Sequence, residues 1–313
     1  MTDAAMAENL SDTVCILLSC YGEAPYLEDF LNSLRRQTAK NWRILARCDG
    51  PVSERAKQLL RDLPALELLP DESHLGIPAS YRELLRRAPD CRRYMFADQD
   101  DVWLPEKIGV SVTAIREAEA DSPGRPILVH SDLRITDARL APVAESLAAY
   151  QSLDPKRCRL QDLMVQNNVT GCTMIFNREL RELAADIPPE AICHDWYLAM
   201  IAAAFGRIAY LPRPLVLYRQ HAANVYGAVS RRQFFRHGLS RRELHRKLAL
   251  TQDQAAGFLR QFRARLSPEQ IETLSEWSGL PDQKSYFRRL FSVWRHGFRK
   301  NDLVRTFGMW WAL

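Results

Sequence analysis

Short apolar runs that each end in a polar cluster alternate with helical repeats along the first half of this chain, and that alternation restricts its fold most. Residues 13–19 (TVCILLS) form a β-branched run of strand length. Tyr26, Leu27, Phe30, Leu31 and Leu34 follow at helical spacing, with Glu28 and Asp29 in the first turn. Strand character returns at 41–46, Ser53 opens a second helix carrying Ala56, Leu59 and Leu60, and 65–70 (ALELLP) gives a third strand. A third helix over 78–88 leads to the apolar run Tyr94, Met95, Phe96, Ala97. Strands alternating with helices argue for an α/β fold with a mostly parallel sheet flanked by helices, whose ligands bind at the carboxyl ends of the strands. The polar clusters are therefore expected to meet.

Later segments continue the pattern. Residues 127–132 read as a strand with a polar end, 160–177 as a helix end, a polar turn and a strand, 195–206 as a helix, and 208–218 as a last pair of strands. With 47% hydrophobic and 26% charged residues in 313, the chain is neither disordered nor a coiled coil, and its length suffices for a large core. Seven cysteines without a CxxC pair suggest a reducing, cytoplasmic setting rather than a disulfide framework. The opening residues read as a disordered stretch, 1–12, without the basic region of a secretion signal, and the longest apolar stretch, 196–206, is too short to cross a bilayer.

The chemistry concentrates where the fourth strand ends, in Asp98-Gln99-Asp100-Asp101. Carboxylates crowded at a sheet edge repel one another and lose hydration, and a hard divalent cation, Mg²⁺ or Mn²⁺, is the natural compensation. In an extended segment Asp98 and Asp100 project to the same side. The plainer reading is an acidic turn capping the next helix. His194-Asp195-Trp196 stands at a predicted helix start, where Asp195 also suits an N-cap. None of GxGxxG, GxxxxGK[ST], HExxH or GxSxG is present.

FADQDDVWLPEKI, with SCYGEAPYLEDFLNSLRRQT upstream, resembles glycosyltransferase family 2, especially its bacterial rhamnosyltransferase-like branch. The resemblance spans about residues 13–227 and implies a GT-A type nucleotide-diphospho-sugar fold, a DxD metal site and inversion at the anomeric carbon. It implies Asp100 as metal ligand, with Asp98 near ribose and metal, and Asp195 as the base that deprotonates the acceptor. Tyr21 and Glu23 would face the base and ribose, and Asp49 would read a pyrimidine imide, although Cys48 and Pro51 depart from the family pattern. His74 replaces the family's usual Asn before Leu75-Gly76. Asn167, Asn168 and the turn Gly171-Cys172-Thr173 resemble the acceptor side, with His194 and Trp196 beside them. Arg219, His221 and Asn224 match the closing motif, Arg219 offsetting phosphate charge and His221 completing the metal shell. The implied donor is a dTDP or UDP sugar carrying L-rhamnose or a hexose, and the acceptor a saccharide or lipid-linked saccharide in bacterial cell-surface polysaccharide synthesis.

Charge divides unevenly. Residues 219–313 hold 18 Lys and Arg against 7 Asp and Glu, whereas residues 1–218 hold 25 against 31. The expected organisation is a catalytic domain over 13–228 and a basic helical extension over 229–313. In that extension Phe287, Leu290, Phe291, Trp294 and Phe298 fall on one helical stripe among arginines. Residues 284–313 thus read as a peripheral membrane segment on the inner face of the cytoplasmic membrane, or as a helix docked on the domain or on a second copy in a homo-oligomer. Two other functions compete: a non-catalytic scaffold or assembly partner that binds nucleotide sugar, which the acids at 98, 100 and 195 oppose, and a nucleic-acid-binding protein, which lacks any recognition module.

Overall fold

The computed structural model describes residues 13–222 and 240–313. The expected disordered stretch 1–12, the domain boundary at 228 and Asn224 lie outside the described residues. Strand β1 (Val14–Gly22) pairs in parallel with β2 (Trp42–Val52) on one side and β4 (Arg93–Asp98) on the other, and β2 pairs with β3 (Leu66–Leu68). A central parallel strand whose sheet is covered by helices on both sides buries both faces, which explains the unbroken apolar run at 14–18. Cys15 and Leu17 enter one core, Val14, Ile16 and Leu18 the other.

Helices cover each face. On the Val14 side lie α1 (Leu27–Arg35), through Leu27, Phe30, Leu31 and Leu34, and α2 (Glu54–Arg61), whose first turn is capped by the Ser53 hydroxyl. On the Cys15 side lies α3 (Ile77–Arg87), through Tyr81, Leu84 and Leu85. Two-residue β5 (Val102–Trp103) leads into α4 (Lys107–Asp121), and β6 (Ile127–Thr136) carries a small partner β7 (Pro142–Ala144).

After the short helices α5 (Leu147–Gln151) and α6 (Leu160–Val165), the turn Gly171–Thr173 opens β8 (Met174–Asn177), which runs antiparallel between β4 and β6. This reversal makes the sheet mostly parallel rather than wholly so. Short α7 (Arg178–Leu183) precedes α8 (His194–Phe205), and β9 (Arg207–Arg219) closes the sheet against β6 and β5. The pair of strands expected at 208–218 is this one strand of 13 residues. Pro214 lacks the ladder donor, and the pairing with β6 shifts register around Asp132, its partner, so the strand bends without ending.

The C-terminal helices continue the Cys15-side core. α9 (Arg241–Phe262) and α10 (Pro268–Ser278) each begin with a capping box, Ser240 with Glu243 and Ser267 with Gln270. Phe258 of α9 packs on Tyr197 of α8 with ring centroids 5.5 Å apart, and the Tyr197 hydroxyl donates to Gln261 at 2.6 Å. α11 (Tyr286–Arg295) and α12 (Leu303–Ala312) complete the chain. Phe298 leaves the expected aromatic stripe: it falls beyond the end of α11 and is buried against Trp277 at 4.8 Å.

Candidate active site

Parallel strands β1, β2 and β4 deliver Tyr21, Asp49 and Asp98 to the same edge of the sheet. The Tyr81 hydroxyl, rising from α3, sits 2.8 Å from the Ala97 carbonyl and 3.1 Å from Asp98 Oδ1. Burial, then the charge of Asp100 and, more weakly, Asp195, push the Asp98 carboxyl up to about 7, against the lowering effect of the Tyr81 bond. Asp101 lies deeper, fully buried, and its carboxyl is raised well above the ordinary range by burial and by Asp98 and Asp100. Lys107 is buried nearby, lies 4.6 Å over the Trp103 ring, and is lowered by burial to about 8.

Asp195 enters from the first turn of α8. Its Oδ1 accepts from the Trp196 amide at 2.6 Å and Asn167 Nδ2 at 3.4 Å, and its Oδ2 from the Gly171 amide at 2.9 Å. Gly171 favours that approach, because a β-carbon there would stand 3.2 Å from His194 Nε2 and 3.3 Å from Asp195 Cβ and would press both side chains back by a few tenths of an ångström. Burial raises the Asp195 carboxyl above its ordinary value, against the pull of these donors. The helix N-cap is Cys193, not Asp195, which leaves the carboxylate turned toward the 167–171 segment. Tyr81 connects the two acidic groups: it bonds Asp98 and stacks on His194 with ring centroids 3.7 Å apart.

The nucleotide-side residues form a partly open group. Tyr21 is 57% exposed, and its backbone is fixed by Gln99, whose amide accepts from Tyr21 N and donates to Tyr21 O, both at 2.9 Å. His74 lies 5.1 Å from the Tyr21 ring. Glu23 is exposed nearby on the same loop. Asp49 is buried and accepts from Arg47 at 2.6 Å, Leu75 N at 2.8 Å and Gly76 N at 3.0 Å, so it anchors the 73–76 loop that brings His74 to Tyr21. His221 Nε2 lies 2.8 Å from Asp100 Oδ2.

Five side chains expected at the ligand make their contacts within the fold, Asp49 first, since Arg47 and the amides of Leu75 and Gly76 take up the carboxylate expected to read a pyrimidine imide. Arg219 is buried, donates to the Asp100 carbonyl, the Ala138 carbonyl and Asp29, and lies 4.2 Å over the Tyr26 ring, so its guanidinium clamps these segments together. Asn168 spans the Arg157 carbonyl and Asn301. The Trp196 indole donates to the Leu163 carbonyl. His194 lies between Tyr81 and the Phe96 edge, where burial lowers it to about 3 and keeps it neutral. Apart from Arg47, each of these partners is remote in sequence, so no local pattern announced it. Tyr81 and Gln99 were missed for a related reason: Tyr81 sits on the apolar stripe of α3 like any core aromatic, and Gln99 is masked by the acids around it.

The donors suit a hard divalent cation. Asp98, Asp101 and Cys172 place one potential ligand atom each within 4.8 Å of one another, and Asp101 Oδ2 is buried without a hydrogen bond. Burial raises the Cys172 thiol well above its usual range, however, so it stays protonated and is a poor ligand for Mg²⁺ or Mn²⁺. Asp100 and His221, 2.8 Å apart and both partly open to solvent, pair an oxygen with a nitrogen donor beside them.

Comparison with known proteins accords with this geometry. The model of the protein family Glycosyl transferase family 2 matches residues 15–182, more than half the chain. Uncharacterized protein Rv1520 of Mycobacterium tuberculosis is 26% identical over 199 residues, covering 61% of this chain and 52% of that protein. An uncharacterized protein of Mycobacterium bovis matches to the same extent. The chain thus spans about half the length of these relatives. Among solved structures, S. aureus TarS 1–349 in complex with UDP-GlcNAc superposes with a TM-score of 0.56 at 14% identity, over 90% of this chain and 73% of that one. The same TarS segment in complex with UDP gives 0.52 at 14% identity, over 88% and 93%. At that identity the likeness is one of fold.

Proposed function

The chain belongs to glycosyltransferase family 2, and on that premise we propose that it moves a sugar from a nucleoside-diphosphate donor to a saccharide or lipid-linked saccharide, with inversion at the anomeric carbon. The observation that carries this reading is the junction at Tyr81, which ties Asp98 at the end of β4 to the foot of α8, where Asp195 stands. Two acids far apart in sequence are thereby linked through one aromatic pair, and burial raises both.

Tyr21 offers its exposed ring to a base, with the His74 ring 5.1 Å away, and Glu23 accepts from ribose hydroxyls. Asp49 contributes by fixing the loop that carries His74. The donors proposed are UDP and dTDP sugars carrying a hexose or L-rhamnose. Asp98, Asp100 and His221 would hold Mg²⁺ or Mn²⁺, which when bound offsets charge building on the departing diphosphate.

Asp195 takes the acceptor proton. A carboxylate held above its ordinary range is a stronger base, and the donors from Gly171, Trp196 and Asn167 fix its orientation. Asn167 acts here by positioning the base. The setting proposed is cell-surface polysaccharide synthesis at the inner face of a bacterial membrane. Replacing Asp195 with Asn keeps the shape and removes the base, so kcat should fall about 10²–10⁴-fold with donor binding retained. Near-normal turnover by Asp195→Asn would refute the role. Sugar-nucleotide hydrolysis by the unaltered protein separates an enzyme from a non-catalytic scaffold, which would show none.

A further inference from the structure

The two last helices each turn an apolar stripe outward. On α11, Phe287, Phe291 and Trp294 recur at the i, i+4, i+7 spacing of one face and are 77%, 58% and 69% exposed. On α12, Leu303, Phe307 and Trp311 repeat every fourth residue and are likewise exposed, while Thr306, Met309 and Ala312 on the other side are buried. The helices are joined where the Tyr286 hydroxyl donates to the Trp310 carbonyl at 3.2 Å. Core packing therefore uses the opposite faces, and the aromatic stripes are left over.

Charge decides what covers them. Residues 284–313 contain seven Lys and Arg and a single carboxylate, Asp302, which pairs with Arg305 at 3.3 Å. Arg288, Arg295 and Arg299 are exposed, and none of them takes part in an ion pair among the described residues. A second copy of the same face would bring like charges together. No helix among the described residues is long and apolar enough to cross a membrane.

We propose that α11 and α12 form an interfacial surface that lies on an anionic lipid bilayer, the aromatics entering the headgroup boundary and the arginines meeting lipid phosphates. The loop between them is fastened to the candidate active site. Asn301 N donates to Gln166 Oε1 at 3.0 Å and its side chain to Asn168, the neighbours of Asn167, which bonds Asp195. A bilayer-borne acceptor would thus be delivered beside Asp195. That consequence rests on the transferase reading, whereas the membrane contact does not.

Co-sedimentation of the whole protein with phosphatidylcholine vesicles, with and without phosphatidylglycerol, tests the surface. Binding is expected only to the anionic vesicles, reversed by salt, and reduced at least about tenfold in the triple variant Phe287→Ser, Phe291→Ser, Trp294→Ser. Those side chains are exposed, so the variant should keep its circular dichroism and its rate of sugar-nucleotide hydrolysis. The pair Arg288→Glu, Arg295→Glu should lose anionic binding in the same way. Equal partitioning of wild type and variants, or absence of binding, would overturn the proposal. So would sedimentation velocity showing a dimer that the same substitutions dissociate. Loss of hydrolysis in the unaltered protein, with vesicle binding intact, would instead overturn the transferase reading alone.

Discussion

Asp195 and His194 are adjacent in sequence, and burial moves their pKa values in opposite directions. Burial raises the carboxyl, so its basic form accumulates only as pH climbs through a pKa above the ordinary carboxylate range. The ascending limb of kcat/KM against pH should therefore sit higher than for an exposed carboxylate and be absent in the residual activity of Asp195→Asn. Burial lowers the imidazole to about 3, so it stays neutral at working pH and serves as an aromatic spacer between Tyr81 and Phe96. His194→Phe should keep kcat within about threefold, since no proton passes through this ring. A loss beyond a hundredfold would show the imidazole to be chemical. The acidic run at 98–101 stands out because its carboxylates are adjacent letters, whereas Asp195 stands out only through the family resemblance. The roles of His194, Trp196, Asn168 and Arg219 were not legible, because whether a polar side chain faces ligand or core depends on partners that other elements supply.

At the scale of elements, the alternation of runs correctly anticipated β1 to β4 and the helices between them, because a central parallel strand covered on both sides is apolar on both faces and a flanking helix on one. It did not anticipate the antiparallel insertion of β8 or the single bent β9, since strand direction and continuity depend on pairing rather than on local pattern. Arg219, the last residue of β9, holds that strand to the acidic loop, to α1 through Asp29 and to the turn at Ala138. Arg219→Met removes the three contacts together while leaving Asp29 half-exposed and able to hydrate. Stability in urea should drop by about 2–4 kcal/mol, and His221 should lose its registry with Asp100. A change under about 0.5 kcal/mol would mean that the clamp is incidental.

Across the whole molecule, acidic groups gather at the carboxyl ends of the strands while net positive charge gathers in the C-terminal helices that complete the Cys15-side core. The sheet sets Tyr21 and Asp98 at one edge and, through Tyr81, ties Asp98 to the foot of α8, and a divalent cation is the counter-charge proposed for the crowded carboxylates. Isothermal titration of UDP and dTDP with and without Mn²⁺ into wild type and Asp100→Asn tests that need most directly. Nucleotide binding should tighten at least about tenfold with Mn²⁺ in the wild type, and Asp100→Asn should lose that gain. Binding that is indifferent to the metal, or equally metal-dependent in Asp100→Asn, would contradict the account.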